Sequence, residues 1–131
     1  MRFDSLMIAA ALLAMPGAAV AKDKAPLTDP ATLKATGEPR NCISSTPQVS
    51  TTPVGDSVLM FRAGSRWYRN DLRTRCPSMR TDRILAFRLM GSQYCALDQF
   101  DVVEPMSRIN YGACALGQFT PVEVPKGTRF K

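Results

Sequence analysis

Between Gln48 and Glu104 the chain alternates β-type runs with short glycine turns. Gln48–Val54 is rich in Thr and Val and ends at Gly55-Asp56. Val58–Ala63 follows and stops at Gly64-Ser65, and Arg66–Asn70 resumes at once. A two-residue Gly-Ser loop predicts a type II′ hairpin, whose twist matches that of the paired strands. The same device recurs as Ile84–Met90, Gly91-Ser92 and Gln93–Glu104. Val58-Leu59-Met60-Phe61-Arg62 even parallels Ile84-Leu85-Ala86-Phe87-Arg88. Shared turn rules account for this parallel more simply than an internal duplication does.

Between the two patterns lies Leu72–Asp82 with Cys76-Pro77, where Pro77 suits the opening of a single helical turn through Met79. Pro105 ends the strand begun at Gln93, Asn110–Gly112 reads as a turn, and Gln118–Val124 as a last short strand. The expected fold is mostly β: a small antiparallel meander or barrel of about five strands. The flanks are polar. Lys22–Arg40 reads as a flexible leader in which Thr28-Asp29-Pro30 caps a short helix running to Gly37. Val122–Lys131 reads as a tail that frays. The domain proper is therefore expected over residues 41–121.

Met1–Ala21 predicts export. Arg2 supplies a charged start, Leu6–Ala14 a short apolar run, and Ala19-Val20-Ala21 a small-x-small cleavage site. The apolar run is too short to span a bilayer, and no later one is longer. Cleavage would deliver a chain starting at Lys22 to the periplasm or beyond, where thiols are oxidised. Cys42, Cys76, Cys95 and Cys114 then read as two disulfides stapling a domain too small to rely on its core alone. Metal binding is disfavoured, because no C-x-x-C pair and no histidine is present. Four cysteines allow three connectivities. In an unbroken up-and-down meander, Cys42 and Cys95 fall at one end of the sheet and Cys76 and Cys114 at the other. Since a disulfide needs Cα atoms within about 7 Å, the expected pairs are Cys42–Cys95 and Cys76–Cys114.

The net charge of +6 is unevenly placed. The lysines all lie in the flanks, at positions 22, 24, 34, 126 and 131. Between Arg62 and Arg88 there are eight arginines against Asp71 and Asp82. In the first hairpin Arg62 should oppose Trp67, Phe61 should oppose Tyr68, and Met60 should oppose Arg69. Leu59, Phe61 and Tyr68 then form a core face. Met60, Arg62, Trp67 and Arg69 form the other. Arg62, Trp67 and Arg69 are thus the candidate binding residues, suited to stacking on or bonding an anionic group. The plainer alternative is a cross-strand cation–π pair on a solvated basic surface.

Catalytic chemistry has little footing. Without histidine there is no imidazole acid, base or triad. With every cysteine in a disulfide there is no thiol nucleophile. Asp98 and Asp101, three apart on the expected strand, point to opposite faces. No catalytic residue, metal site or cofactor is assigned. The expected function is an envelope accessory binding module that uses its arginine-rich face on a protein or anionic envelope component. A structural or stress-related periplasmic protein without a specific ligand is the alternative, and a small hydrolase a weaker one. Nucleic acid suits the charge but not the compartment.

Several elements carry a resemblance. Arg40-Asn41-Cys42-Ile43, Tyr68-Arg69-Asn70-Asp71-Leu72, Arg75-Cys76-Pro77, Cys95 to Asp98, and Cys114-Ala115-Leu116-Gly117-Gln118-Phe119-Thr120-Pro121 span the folded segment. In these the chain resembles a family of short exported proteins of unknown function from Gram-negative bacteria. The family carries Gly after its Cys-Pro pair, where this chain has Ser78. The resemblance implies export and a common fold, and it brings no activity, ligand or catalytic residue.

Overall fold

The computed structural model describes residues 25–46 and 48–130, together with Gly17. The expected export signal, Met1–Ala21, lies outside the described residues apart from Gly17, as do residues 22–24 of the leader. Eleven strands follow in chain order: β1 (Leu27–Thr28), β2 (Cys42–Ser44), β3 (Val49–Val54), β4 (Val58–Ala63), β5 (Arg66–Asp71), β6 (Ile84–Arg88), β7 (Gln93–Cys95), β8 (Gln99–Val103), β9 (Asn110–Ala115), β10 (Phe119–Val122) and β11 (Arg129–Phe130). A 3-10 turn, Pro30–Thr32, lies between β1 and β2.

The fold is mostly β and held by two disulfides, as expected, but the strands close no barrel. They form a four-stranded antiparallel sheet (β10-β5-β4-β3), a three-stranded antiparallel sheet (β6-β8-β9) and the antiparallel pair β2-β7. The first hairpin matches its predicted register: Arg62 opposes Trp67, Phe61 opposes Tyr68, and Met60 opposes Arg69. Gly64 takes φ +63°, the left-handed value that position one of a type II′ turn requires.

The second predicted hairpin does not form. β6 pairs with β8, not with the strand after Gly91-Ser92. That strand is only β7, and it pairs with β2, placing Cys42 directly opposite Cys95. The expected single strand Gln93–Glu104 breaks at residues 96–98, where Asp98 Oδ2 accepts the Cys95 N–H and ties a turn. The unbroken meander therefore fails. The expected disulfides, Cys42–Cys95 and Cys76–Cys114, are nonetheless the ones present, the first through a strand pair that the meander lacked. Asn110–Gly112, expected as a turn, begins β9 instead. The turn sits earlier, at residues 104–109, closed by the Glu104 N–H on the Ile109 carbonyl.

The flanks are built into the fold. Asp29 caps the 3-10 turn through its side chain, as predicted, but the helix ends at Thr32 and not near Gly37. Ala35 and Arg40 bridge to Val122 and Phe119 and so cover the β10 edge. β1 and β11 pair with each other in parallel. Uncovered edges invite pairing with other chains, and the leader removes one here.

The main core packs one face of the four-stranded sheet against the other sheets. Ile43, Leu59, Phe61, Phe100, Leu116 and Phe119 are among its buried members. A second, smaller core lies on the opposite face, where Val54, Met60 and Val122 are covered by Leu33, Trp67, Val124 and Phe130. Met60, expected on an open face, is completely buried because the terminal segments cross over it.

Two sequence elements far apart in the chain meet as one unit. Tyr68-Arg69-Asn70 in β5 lies against Phe119-Thr120-Pro121 in β10. The buried Asn70 side chain donates to the Gly117 carbonyl and accepts the Gly117 N–H, both at 2.8 Å. Gly117 has no room for a side chain, since a Cβ there would lie 1.9 Å from the Asp71 carbonyl oxygen. Asn70→Ala would leave both Gly117 backbone groups buried and unbonded. It should lower the unfolding free energy of the oxidised protein by about 2–5 kcal/mol in urea denaturation. Gly117→Ala should cost at least as much, because the clash is with backbone.

Candidate functional site

Arg62, Trp67 and Arg69 share a sheet face, as their register requires. The terminal segments divide that face. Arg62 places its guanidinium carbon 5.6 Å from the centre of the Trp67 ring and donates from Nε to the Gly64 carbonyl. Trp67 itself is half-buried beneath Phe130, the two rings 5.8 Å apart and edge-on. Arg69 is drawn away from this pair. Its Nε bonds Asp71 at 3.1 Å and its Nη1 bonds the Pro30 carbonyl at 3.2 Å, leaving the side chain 21% exposed. The three residues line three different grooves. One continuous arginine–tryptophan surface is not formed.

The run of arginines is also more neutralised than its sequence suggests. Arg69 pairs with Asp71, Arg75 with Asp56, Arg80 with Asp82, and Arg88 with Asp101. Two of these acids lie outside the run, brought in by the loop before β4 and by β8. Arg83 donates to the Ser78 carbonyl and stacks on Tyr111, 3.9 Å from the ring centre. Such exposed pairs add little stability singly, but they consume the charge that a partner would read.

Among the arginines left without a carboxylate are those at the tip of the β4–β5 hairpin. The side chains of Arg66, in β5, and Arg40 make no hydrogen bond or ion pair among the described residues. Arg40 rests over the Tyr68 ring at 5.8 Å. Both residues line the same two grooves, of about 520 and 490 Å³, on either side of them. Arg62 stands at the same hairpin tip but on the opposite sheet face from Arg66, in a separate groove with Gln48 and Ser50. Glu123 borders one groove, beyond ion-pair distance of either arginine. Arg40 escaped the sequence reading because it sat in the supposed leader, and only its bridge to Phe119 brings it here.

A separate, larger cleft of about 740 Å³ opens beside the Cys42–Cys95 disulfide, walled by Arg69, Asp71, Arg73, Asn41, Leu97 and Gln118. Leu97 and Gln118 carried no signal of their own in the sequence.

Asp98 and Asp101 do not form a carboxylate pair. Asp98 precedes β8 and is bonded to the Cys95 N–H, whereas Asp101 lies in β8 and takes two bonds from Arg88. Their expected placement on one strand is therefore corrected. No group of His, Cys, Asp or Glu suited to a metal ion occurs among the described residues. Also among them, no helix is long and apolar enough to cross a membrane. No family model, curated protein or solved structure matches the chain.

Two carboxyls are held below their ordinary values. The Arg75 hydrogen bond is the main cause at Asp56, with Ser57 adding to it. At Glu104 the Ser107 hydroxyl acts first and the Ser107 backbone N–H second. A depressed folded pKa stabilises the fold above the unfolded carboxylate value, and the benefit disappears as pH falls through the folded value. Stability should therefore be flat from about pH 5.5 to 7, where no histidine titrates, and decline below about pH 5. Asp56→Asn should make that acid slope shallower in chemical denaturation followed across pH.

Trp67 is the sole tryptophan, so its fluorescence reports on the second core. Phe130→Ala should shift its emission to the red and lower stability by about 1–3 kcal/mol, below the 3–5 kcal/mol of a fully buried phenylalanine. Unchanged emission would mean that the tail does not cover Trp67 in solution.

Proposed function

We propose that this protein is an exported, disulfide-stapled binding module. In this reading the corner formed by Arg40 and Arg66, beside Trp67, takes an anionic group on an envelope protein or envelope component. The observation that carries the reading is the sorting of the arginines. Arg69, Arg75, Arg80 and Arg88 are matched with carboxylates, while those at the hairpin tip have none among the described residues. Arginine suits this role because its planar donors fit carboxylate and phosphate in pairs. The grooves beside Arg40 and Arg66 give an anionic chain two paths past the same cations. Two disulfides support a site of action where thiols are oxidised. The export signal and the resemblance to short exported proteins point the same way.

A second reading has its own observation. Arg69 holds the Pro30 carbonyl, and Arg75 ties the loop at Asp56 to the segment entering Cys76. Arginines used in this way make a rigid structural protein with no specific ligand. The hydrolase reading gains nothing from Asp98 or Asp101, whose carboxylates are engaged elsewhere.

Co-sedimentation with phosphatidylglycerol vesicles and with isolated peptidoglycan, at low and physiological salt, separates the two readings. Binding to one of them should survive physiological salt and fall about tenfold or more in an Arg40→Glu, Arg66→Glu variant. Near-UV circular dichroism checks that the variant remains folded. Equal sedimentation of a folded variant would leave the structural reading in place.

A further inference from the structure

The cleft beside the Cys42–Cys95 disulfide has a conformational signature that the hairpin corner lacks. Leu97, on its rim, has φ +76°, in the left-handed region that a leucine rarely adopts. The turn around it is over-determined. The Ala96 N–H bonds the Asn41 carbonyl, the Leu97 N–H the Leu116 carbonyl, and the Asp98 N–H the Cys95 carbonyl. The Asp98 carboxylate takes the Cys95 N–H, and the Asp98 carbonyl takes the Leu116 N–H. These bonds dictate a backbone that glycine would fit without strain. Leucine occupies it instead, and its side chain is 60% exposed, so it contributes nothing to the core. A strained residue that the surrounding structure holds in place, with its apolar group turned to the edge of a cleft, directs attention to a ligand.

The polar wall defines the ligand's chemistry. Arg69 is fixed by its bonds to Asp71 and the Pro30 carbonyl, which leave its Nη2 edge unbonded among the described residues. Arg73, two residues beyond Asp71, has no hydrogen bond or ion pair among them. Two guanidiniums against one carboxylate leave the wall with a single net positive charge, which a monoanion neutralises and a dianion exceeds. Gln118 Nε2 donates to Asn41 Oδ1 at 3.0 Å. That bond orients both amides and frees the Asn41 amide N–H groups and the Gln118 carbonyl for a neutral polar body. A cleft of about 740 Å³ lies within the usual size of small-molecule sites.

We propose that this cleft binds a small monocarboxylate whose neutral body carries hydroxyl or amide groups. The carboxylate lies between Arg69 and Arg73, the body bonds Asn41 and Gln118, and an apolar edge rests on Leu97. The site is distinct from the hairpin corner, and neither depends on the other.

The test is a titration of the oxidised, isotope-labelled protein followed by NMR. The probes are glucuronate for a hydroxyl-bearing body and N-acetylalanine for an amide-bearing one. Glucose and glucose 6-phosphate serve as neutral and dianionic comparisons. At least one carboxylate should saturate, with shifts at the Leu97 and Gln118 amides and at the Arg69 and Arg73 side chains. Arg73→Gln should weaken that binding about tenfold, the size of one charge-assisted contact. Arg80→Gln, which removes equal charge elsewhere, should not change it. Leu97→Gly should keep or raise the melting temperature while weakening binding several-fold. The proposal is overturned if neither carboxylate saturates, if glucose 6-phosphate binds as tightly, or if the shifts gather at Arg40 and Arg66. It is overturned equally if Arg73→Gln binds as well as the parent.

Discussion

Phe61 is the point on which the sheets converge. Its ring lies 5.1 Å from Phe119, 5.4 Å from Tyr94 and 6.0 Å from Phe87, centre to centre. Those partners come from β10, β7 and β6, so one side chain touches every antiparallel sheet. Phe87 carries the contact on to Phe100 at 5.3 Å. Tilted and edge-on arrangements of this kind add about 0.5–1.5 kcal/mol per pair beyond the area they bury. No sheet here is large enough to bury a face alone. The aromatic cluster makes one core of them, and the disulfides then hold the strands that supply it.

The other face of β4 tells a different story. A strand that buries Leu59, Met60 and Phe61 in succession needs cover on both sides. The main core provides one cover and the chain's flanking segments provide the other. This rearranges the electrostatics. By crossing the sheet, the leader takes up Arg69 through the Pro30 carbonyl and sets Arg40 beside Phe119, from where its guanidinium reaches over Tyr68. Unpaired arginines therefore stand at the tip and in the cleft of Arg73, and the sheet face carries no continuous band of free charge.

Much of the local structure was legible because turn chemistry is local. Gly64-Ser65 fixed the first hairpin and its register, and Asp29-Pro30 announced a helical start. The second Gly-Ser turn misled because two interactions compete with it, one distant and one close by. Cys42 claims Cys95 and pulls β7 to β2, while Asp98 breaks the run and frees β8 to meet β6. Alternation can report neither: the first joins residues 53 apart, and the second is a side-chain bond to a backbone N–H that leaves the apolar pattern unchanged. The same limit hid the cleft. Arg69 and Gln118 were visible as residues, but their approach rests on the Asn70 bonds across to Gly117. Leu97 looks like an ordinary strand leucine until its φ angle is known.

The disulfides also interleave: Cys76 lies inside the loop closed by Cys42 and Cys95, and its partner Cys114 lies outside it. No two cysteines that follow one another along the chain are native partners. The crosslinks that close the shortest loops in an unfolded chain are therefore wrong pairs, such as Cys76 with Cys95. Reaching the native pairs then requires thiol exchange, a step of seconds to hours without an enzyme. The interleaved pairs thus make the native crosslinks a product of the folded β2–β7 and β8–β9 pairings and not of loop length.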